Sequence, residues 1–268
     1  MTRELVVTVN GRKTRVFDGG AGRTLVLLHA FPLNAAMWQD QIDHVPDGWR
    51  FIAPDLRGFG AMPTDDAQAV TIDDYAGDVL GLLDALAIEK AVVGGLSMGG
   101  YVTFAMFRQA PSRFDGVVLA DTKAPADTPD GRAARRAMSD LLRTAGVREV
   151  VDGLLPRLVG ETTRRERPDV LARARTLMES SSAAAIESAL HALMTRPDST
   201  PDLDRIACPA LVIVGQEDAV TPPAEAELLA SSIAGAELAA LPRVGHLSNL
   251  EAPDVFSGAL AGFLSRAF

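Results

Sequence analysis

The sequence predicts an α/β protein built on a mostly parallel sheet and interrupted once by an all-helical stretch. Three observations carry this reading. Short apolar, β-branched runs alternate with helix-patterned segments up to residue 121 and again from 210 onward. Residues 122–200 hold no strand pattern, only Ala- and Arg-rich helical stretches. One junction between an apolar run and a helix pattern reads Gly95-Leu96-Ser97-Met98-Gly99, a G-x-S-x-G. The chain therefore divides into a core of 1–121 and 201–268, with 122–200 as a helical insertion.

Residues 5–9 and 14–18 read as two strands, with Asn10-Gly11 as the hairpin turn between them. The run TLVLL at 24–28 is a buried strand bounded by Gly22 and His29, and a loop follows through Asn34. Residues 36–45 fit a helix that buries Met37, Ile42 and Val45, and 51–53 is a short strand ending at Pro54. Thr71-Ile72-Asp73-Asp74 is a capping box, after which Ala76, Val79, Leu80, Leu83 and Leu86 recur at helical spacing. Ala91-Val92-Val93 leads into the G-x-S-x-G, 101–110 is helical, and 116–120 is another buried strand. The insertion holds helices near 132–145, 148–158, 168–178 and 183–195. Alternation resumes with a strand at 210–214, a helix at 223–233, a strand at 236–241 and a helix at 254–268.

Composition narrows the functional classes. At 268 residues, 47% of them hydrophobic and 23% charged, the chain can bury a sizeable core. A net charge of −9 argues against nucleic-acid or anionic-membrane partners, both of which need a basic face. The stretch MTRELVVTVNG lacks the apolar region of a signal peptide, and no apolar run reaches membrane-spanning length. Together with a single cysteine, Cys208, which reads as a small buried hydrophobe, this sets a cytoplasmic expectation. The four histidines, at 29, 44, 191 and 246, show no ligand-type spacing, so a structural metal is not expected. A monomer or weak homodimer that meets a small-molecule substrate completes the expectation.

The chemistry is expected at one edge of the sheet. A serine between a buried strand and a helix must turn the chain sharply, which implies a positive φ at Ser97. The flanking glycines remove side chains that would clash in such a turn. An activated serine needs a base, and the base needs an acid to fix its tautomer. Strand 210–214 runs into Gly215-Gln216-Glu217-Asp218, and strand 236–241 runs into Pro242-Arg243-Val244-Gly245-His246. In an open parallel sheet both loops belong at the carboxyl edge, beside Ser97. Asp121, at the end of 116–120, is a rival acid, and Asp218 could instead be a turn residue ahead of the next helix. Acyl transfer also needs donors for the developing oxyanion. The N–H of Met98, after the nucleophile, and that of Phe31, in the loop after the third strand, fit this need, since Pro32 has none. His29 reads as a brace for that loop. Ala30, Phe31 and Met98 are the expected substrate contacts.

The order Ser, Asp, His and three segments, LLHAFPLN (27–34), GGLSMGGYV (94–102) and VGHLSNLE (244–251), resemble the α/β-hydrolase superfamily. APDLRGFG (53–60) and VIVGQEDAVTPP (212–223) agree with it. The sequence looks most like bacterial carboxylesterases with a four-helix cap, themselves similar to 3-oxoadipate enol-lactonases. The resemblance implies a mostly parallel eight-stranded sheet flanked by helices, an all-helical cap inserted after strand six, and no cofactor. Ala30 departs from the His-Gly pair commoner before Phe-Pro, and its methyl would narrow the oxyanion loop or acyl pocket. Serine at 97 disfavours haloalkane dehalogenase and epoxide hydrolase chemistry, which in this superfamily use aspartate there. The expected activity is hydrolysis of small to medium acyl esters by Ser97, His246 and Asp218, under a cap rich in Leu and Met. The same groups would serve lactone or enol-lactone hydrolysis, carbon–carbon hydrolysis of a diketone, or a perhydrolase side reaction. A non-enzymatic ligand receptor on this fold is the remaining alternative, and the full set of three residues argues against it.

Overall fold

A computed structural model describes residues 2–61 and 70–268. Strand β1 (Arg3–Val9) and strand β2 (Arg12–Gly20) pair antiparallel through the two-residue turn at Asn10 and Gly11. Both turn residues have positive φ, 50° and 77°, which matches the twist that a tight hairpin needs. Strands β3 (Arg23–Leu28), β4 (Trp49–Pro54), β5 (Ala91–Leu96), β6 (Phe114–Ala120), β7 (Ala210–Gly215) and β8 (Glu237–Leu241) complete a sheet in the order β1-β2-β4-β3-β5-β6-β7-β8. From β4 to β8 every neighbouring pair is parallel, while β2 meets β4 antiparallel.

The parallel strands are apolar on both faces because helices cover both. On one face Val26, Leu28, Val93, Val117 and Val212 join Tyr75, Val79 and Phe104 in one cluster. On the other, Leu25, Leu27, Val92, Val118 and Leu211 join Trp38, Phe256 and Phe263. Successive residues of one strand thus enter different clusters, as the two-residue period of a strand requires.

Helix α1 (Gln39–Asp43) is much shorter than the segment 36–45 suggests, and a 3₁₀ turn over Ala35–Trp38 precedes it. The Asn34 side chain caps that turn by accepting from Ala36 N at 3.0 Å. Pro46 disfavours helical geometry at Val45, and the chain then swings through Gly48 at φ 80° into β4. Helix α2 (Ile72–Ala85) opens on the expected capping box, with Asp74 N donating to Thr71 Oγ1 and Thr71 N donating to Asp74 Oδ2. Helix α3 (Met98–Gln109) begins three residues before its apolar pattern does. Gly99 and Gly100 lie in its first turn, where helix and sheet touch.

The insertion holds five helices, α4 (Pro129–Ala145), α5 (Val147–Leu158), α6 (Glu161–Glu166), α7 (Pro168–Glu179) and α8 (Ala183–Thr195), not four. The added α6 is one short polar helix between Gly160 and Pro168, with no apolar periodicity to betray it. Helix α9 (Pro223–Ser232), a single turn α10 (Ser248–Glu251) and α11 (Pro253–Ala267) follow in the core. The insertion is fastened over the carboxyl edge of the sheet. Ser181 Oγ donates to Pro32 O (2.7 Å) and Asn34 Nδ2 donates to Ser180 Oγ (2.9 Å), tying the α7–α8 turn to the loop after β3. Thr162 N donates to Glu217 after β7 (2.8 Å), and Leu247 N after β8 donates to Leu158 O (3.1 Å). No described helix is long and apolar enough to cross a membrane.

Thr71→Ala removes the cap of α2, a helix that carries none of the candidate site residues. It should cost about 1 kcal/mol and lower the thermal midpoint by roughly 2–4 °C, measured by calorimetry, with activity retained.

Candidate active site

Ser97 sits on the turn between β5 and α3 with φ 55° and ψ −111°, the strained backbone its position demands. The glycines around it are required by contact with backbone. A Cβ on Gly95 would lie 2.1 Å from the Gly99 carbonyl, and one on Gly99 would lie 2.2 Å from Leu28 O. The turn is also held from outside. Ser97 N donates to Ala120 O and Thr122 Oγ1 donates to Ser97 O, both at 2.9 Å. Met98 opens α3, so its N–H is one of those that a first turn leaves without an intrahelical acceptor.

The loop after β3 lies beside this turn. The Phe31 N–H has no acceptor among the described residues. Ala30 is wholly buried in one apolar cluster with Leu33, Met37 and Trp38. Its carbonyl accepts from Leu33 N and from His29 Nδ1. His29 Nε2 in turn accepts from Leu56 N at 3.0 Å, which fixes the neutral tautomer with the proton on Nδ1. Burial is the main reason that the pKa of His29 is pushed down to about 4. His29 thus acts as the expected brace, uncharged across the physiological range.

Asp218 and His246 meet. His246 Nδ1 donates to Asp218 Oδ2 at 2.7 Å, with both side chains buried. Asp218 Oδ1 accepts from Val220 N and Thr221 N, and Thr221 Oγ1 donates to Oδ2. Asp218 therefore both organises its turn and holds the imidazole, so the two readings of this residue are compatible. Burial opposes both charges. The attraction to His246 and the donors around it still hold the Asp218 carboxyl below its usual range. The Asp218 carboxylate likewise outweighs burial at His246 and raises the imidazole above 6.5.

The rival acid, Asp121, stands close by without touching the imidazole. Its Oδ1 accepts from Gly215 N, and its Oδ2 shares a short hydrogen bond with Ser248 Oγ. Complete burial, and then the charge of Asp218, push its carboxyl well above the usual range. His246 Nε2 is buried and has no hydrogen-bond partner among the described residues, Ser97 Oγ included. Among the described residues no group of three or more His, Cys, Asp or Glu could hold a metal.

A family model described as alpha/beta hydrolase fold matches residues 23–253. The chain belongs to this family. It is 31% identical to 3-oxoadipate enol-lactonase 2 of Acinetobacter baylyi over 242 residues, 90% of this hydrolase and 88% of that one. A thermophilic esterase from Thermogutta terrifontis, solved with malate bound, superposes with a TM-score of 0.93 at 35% identity and covers 99% of both chains. The enol-lactonase of Burkholderia xenovorans follows with a TM-score of 0.89 at 30% identity over 97% of this chain and 100% of its own.

Several residues that hold this hydrolase's site together were not singled out from the sequence. Thr221 and Glu251 bond within the loops that carry Asp218 and His246, while Glu217 and Ser248 tie those loops to Thr162 and to Asp121. The only available signal was their closeness to the two strand ends. A histidine titration followed by NMR should place His246 above 6.5 and His29 near 4. Asp218→Asn should lower the His246 midpoint and leave His29 unmoved, because only His246 loses an anionic partner.

Proposed function

We propose that this chain is a serine carboxylesterase acting on small to medium acyl esters. It is an ester-hydrolysing enzyme of the EC 3.1.1 type. The observation that carries this reading is the buried Asp218–His246 hydrogen bond, which leaves an Nε2 lone pair free at the sheet edge where the strained turn presents Ser97. Substrate entry brings Ser97 Oγ and Nε2 within about 3 Å, a contact that commonly tightens only in the complex. His246 then takes the hydroxyl proton as Oγ bonds to the ester carbon. The N–H groups of Phe31 and Met98 stabilise the resulting oxyanion, each contributing on the order of 10²-fold or more. Collapse breaks the bond to the alkoxy oxygen, which leaves with the proton from His246. Water, deprotonated by His246, attacks the acyl-serine, and the carboxylic acid is released as the proton returns to Oγ.

Ala30, Phe31 and Met98 also line the acyl side of the site. Residues 122–200 roof the site as a separate cap. A second reading uses the same groups on a cyclic ester, where the leaving alkoxide stays tethered to the acyl-enzyme. The similarity to enol-lactonases favours it over other rivals.

Assays with p-nitrophenyl esters from acetyl to dodecanoyl, and with simple lactones, discriminate these readings. Short and medium acyl chains should turn over fastest, and Ser97→Ala should lose roughly 10⁴-fold or more in kcat. Turnover rising toward dodecanoyl would refute the chain-length preference, and inert esters beside active lactones would favour the second reading. Because the base must be neutral to accept a proton, kcat/KM should rise with pH through a limb centred above 6.5.

A further inference from the structure

Glu251 is a buried carboxylate with no ion-pair partner among the described residues. Its oxygens are not idle. Oε2 accepts from Gly245 N (3.0 Å) and from Gly160 N (2.9 Å), and Oε1 accepts from Leu247 N (3.1 Å). Two of these three donors flank His246 directly, and the third belongs to the junction of α5 and α6 in the insertion. A buried carboxylate needs such compensation, and backbone N–H groups supply it without a competing cation.

The surroundings show that this junction is built to close tolerance. A Cβ on Gly245 would lie 2.1 Å from Gly160 N, and one on Gly160 would lie 2.9 Å from Gly245 N. Only glycine at both positions lets the two backbones come close enough to share one carboxylate. The Leu247 N–H is shared between Glu251 Oε1 and Leu158 O, so the turn around His246 is fastened to the insertion at a second point.

We propose that Glu251 is a positioning residue for the base: it clamps the His246 turn to the α5–α6 junction, so that the insertion sets where the imidazole stands relative to Ser97. This rests on the reading of Ser97 and His246 as nucleophile and base. The groups that face His246 are Asp218 from the loop after β7, Asp121 at the end of β6, and Glu251 from α10. Glu251 therefore acts in two ways, by reach and by charge, and the two are separable.

Glu251→Gln keeps the size, removes the charge, and sets an amide N–H₂ against backbone donors. Glu251→Asp keeps the charge and loses the reach. In Glu251→Gln, kcat should fall roughly 10- to 100-fold with KM changed less than about threefold, as expected of a misplaced base. The NMR midpoint of His246 should fall, because one of the anions facing the imidazole is lost. Glu251→Asp should lose kcat similarly while keeping more of the His246 midpoint. As a control, Glu217→Gln loosens the other insertion tether, at Thr162, and should leave the His246 midpoint where it is. A folded Glu251→Gln with kcat and His246 midpoint both unchanged would overturn the proposal. So would equal shifts of the midpoint in Glu217→Gln. Should Glu251→Gln fail to fold, the Asp variant decides: wild-type kcat in it rules out a clamp that depends on reach. The NMR midpoint is read without turnover, so a failure of the ester-hydrolase reading shows separately, as an unaltered kcat in Ser97→Ala.

Discussion

A 2.7 Å hydrogen bond joins Asp218 Oδ2 to His246 Nδ1, and much of the carboxyl edge is arranged around keeping it. Both groups are removed from water, which by itself would disfavour either charge. The pair survives because every other lone pair of Asp218 is occupied by Val220, Thr221 and the Thr221 hydroxyl. With Nδ1 committed, the tautomer is decided, and the basic lone pair of His246 points away from the carboxylate. A buried acid–base pair of this kind is an ordered polar network, and such networks depend on complete satisfaction.

That network is extended by elements with no chemistry of their own. Asp121 ties the end of β6 to Gly215 N and Ser248, on the strands and loops to either side of Asp218. Glu251 gathers the backbone on both sides of His246 and couples it to the insertion. On the opposite flank, a neutral His29 locks the Phe31 loop to the loop after β4. Two carboxylates and two imidazoles thus share one edge in different protonation environments. Asp218 is held ionised, Asp121 is pushed toward neutrality, His246 is raised and His29 is lowered. Groups at one sheet edge whose environments drive their pKa values apart are the mark of a site built for proton transfer.

Much of this fold was legible in the residue pattern, and the reasons are physical. Strands such as β5 and β7 are buried at every residue, so they stand out as uninterrupted apolar runs. The G-x-S-x-G fixed the serine turn, because only glycine tolerates the approach of Leu28 and of the turn's own backbone. What stayed hidden depended on partners distant in the chain. The choice between Asp121 and Asp218 needed the rotation of two loops at the same edge. Helix α6 and the single turn α10 are too short and polar to leave a periodic trace. The break in the 36–45 helix follows from a local competition, in which Asn34 caps a 3₁₀ turn and Pro46 stops the chain. The part played by Glu251 requires Gly160 to lie against Gly245, which no local pattern encodes.

We propose that Ser97 becomes a nucleophile because a buried His246, oriented by Asp218, takes its proton. Reaction with an alkyl fluorophosphonate followed by peptide mass spectrometry tests this most directly. One phosphonyl group per chain, bound to Ser97 and formed at least 100-fold more slowly in His246→Ala, is the expected result. An adduct on another residue, or equal labelling rates with and without the imidazole, would contradict it.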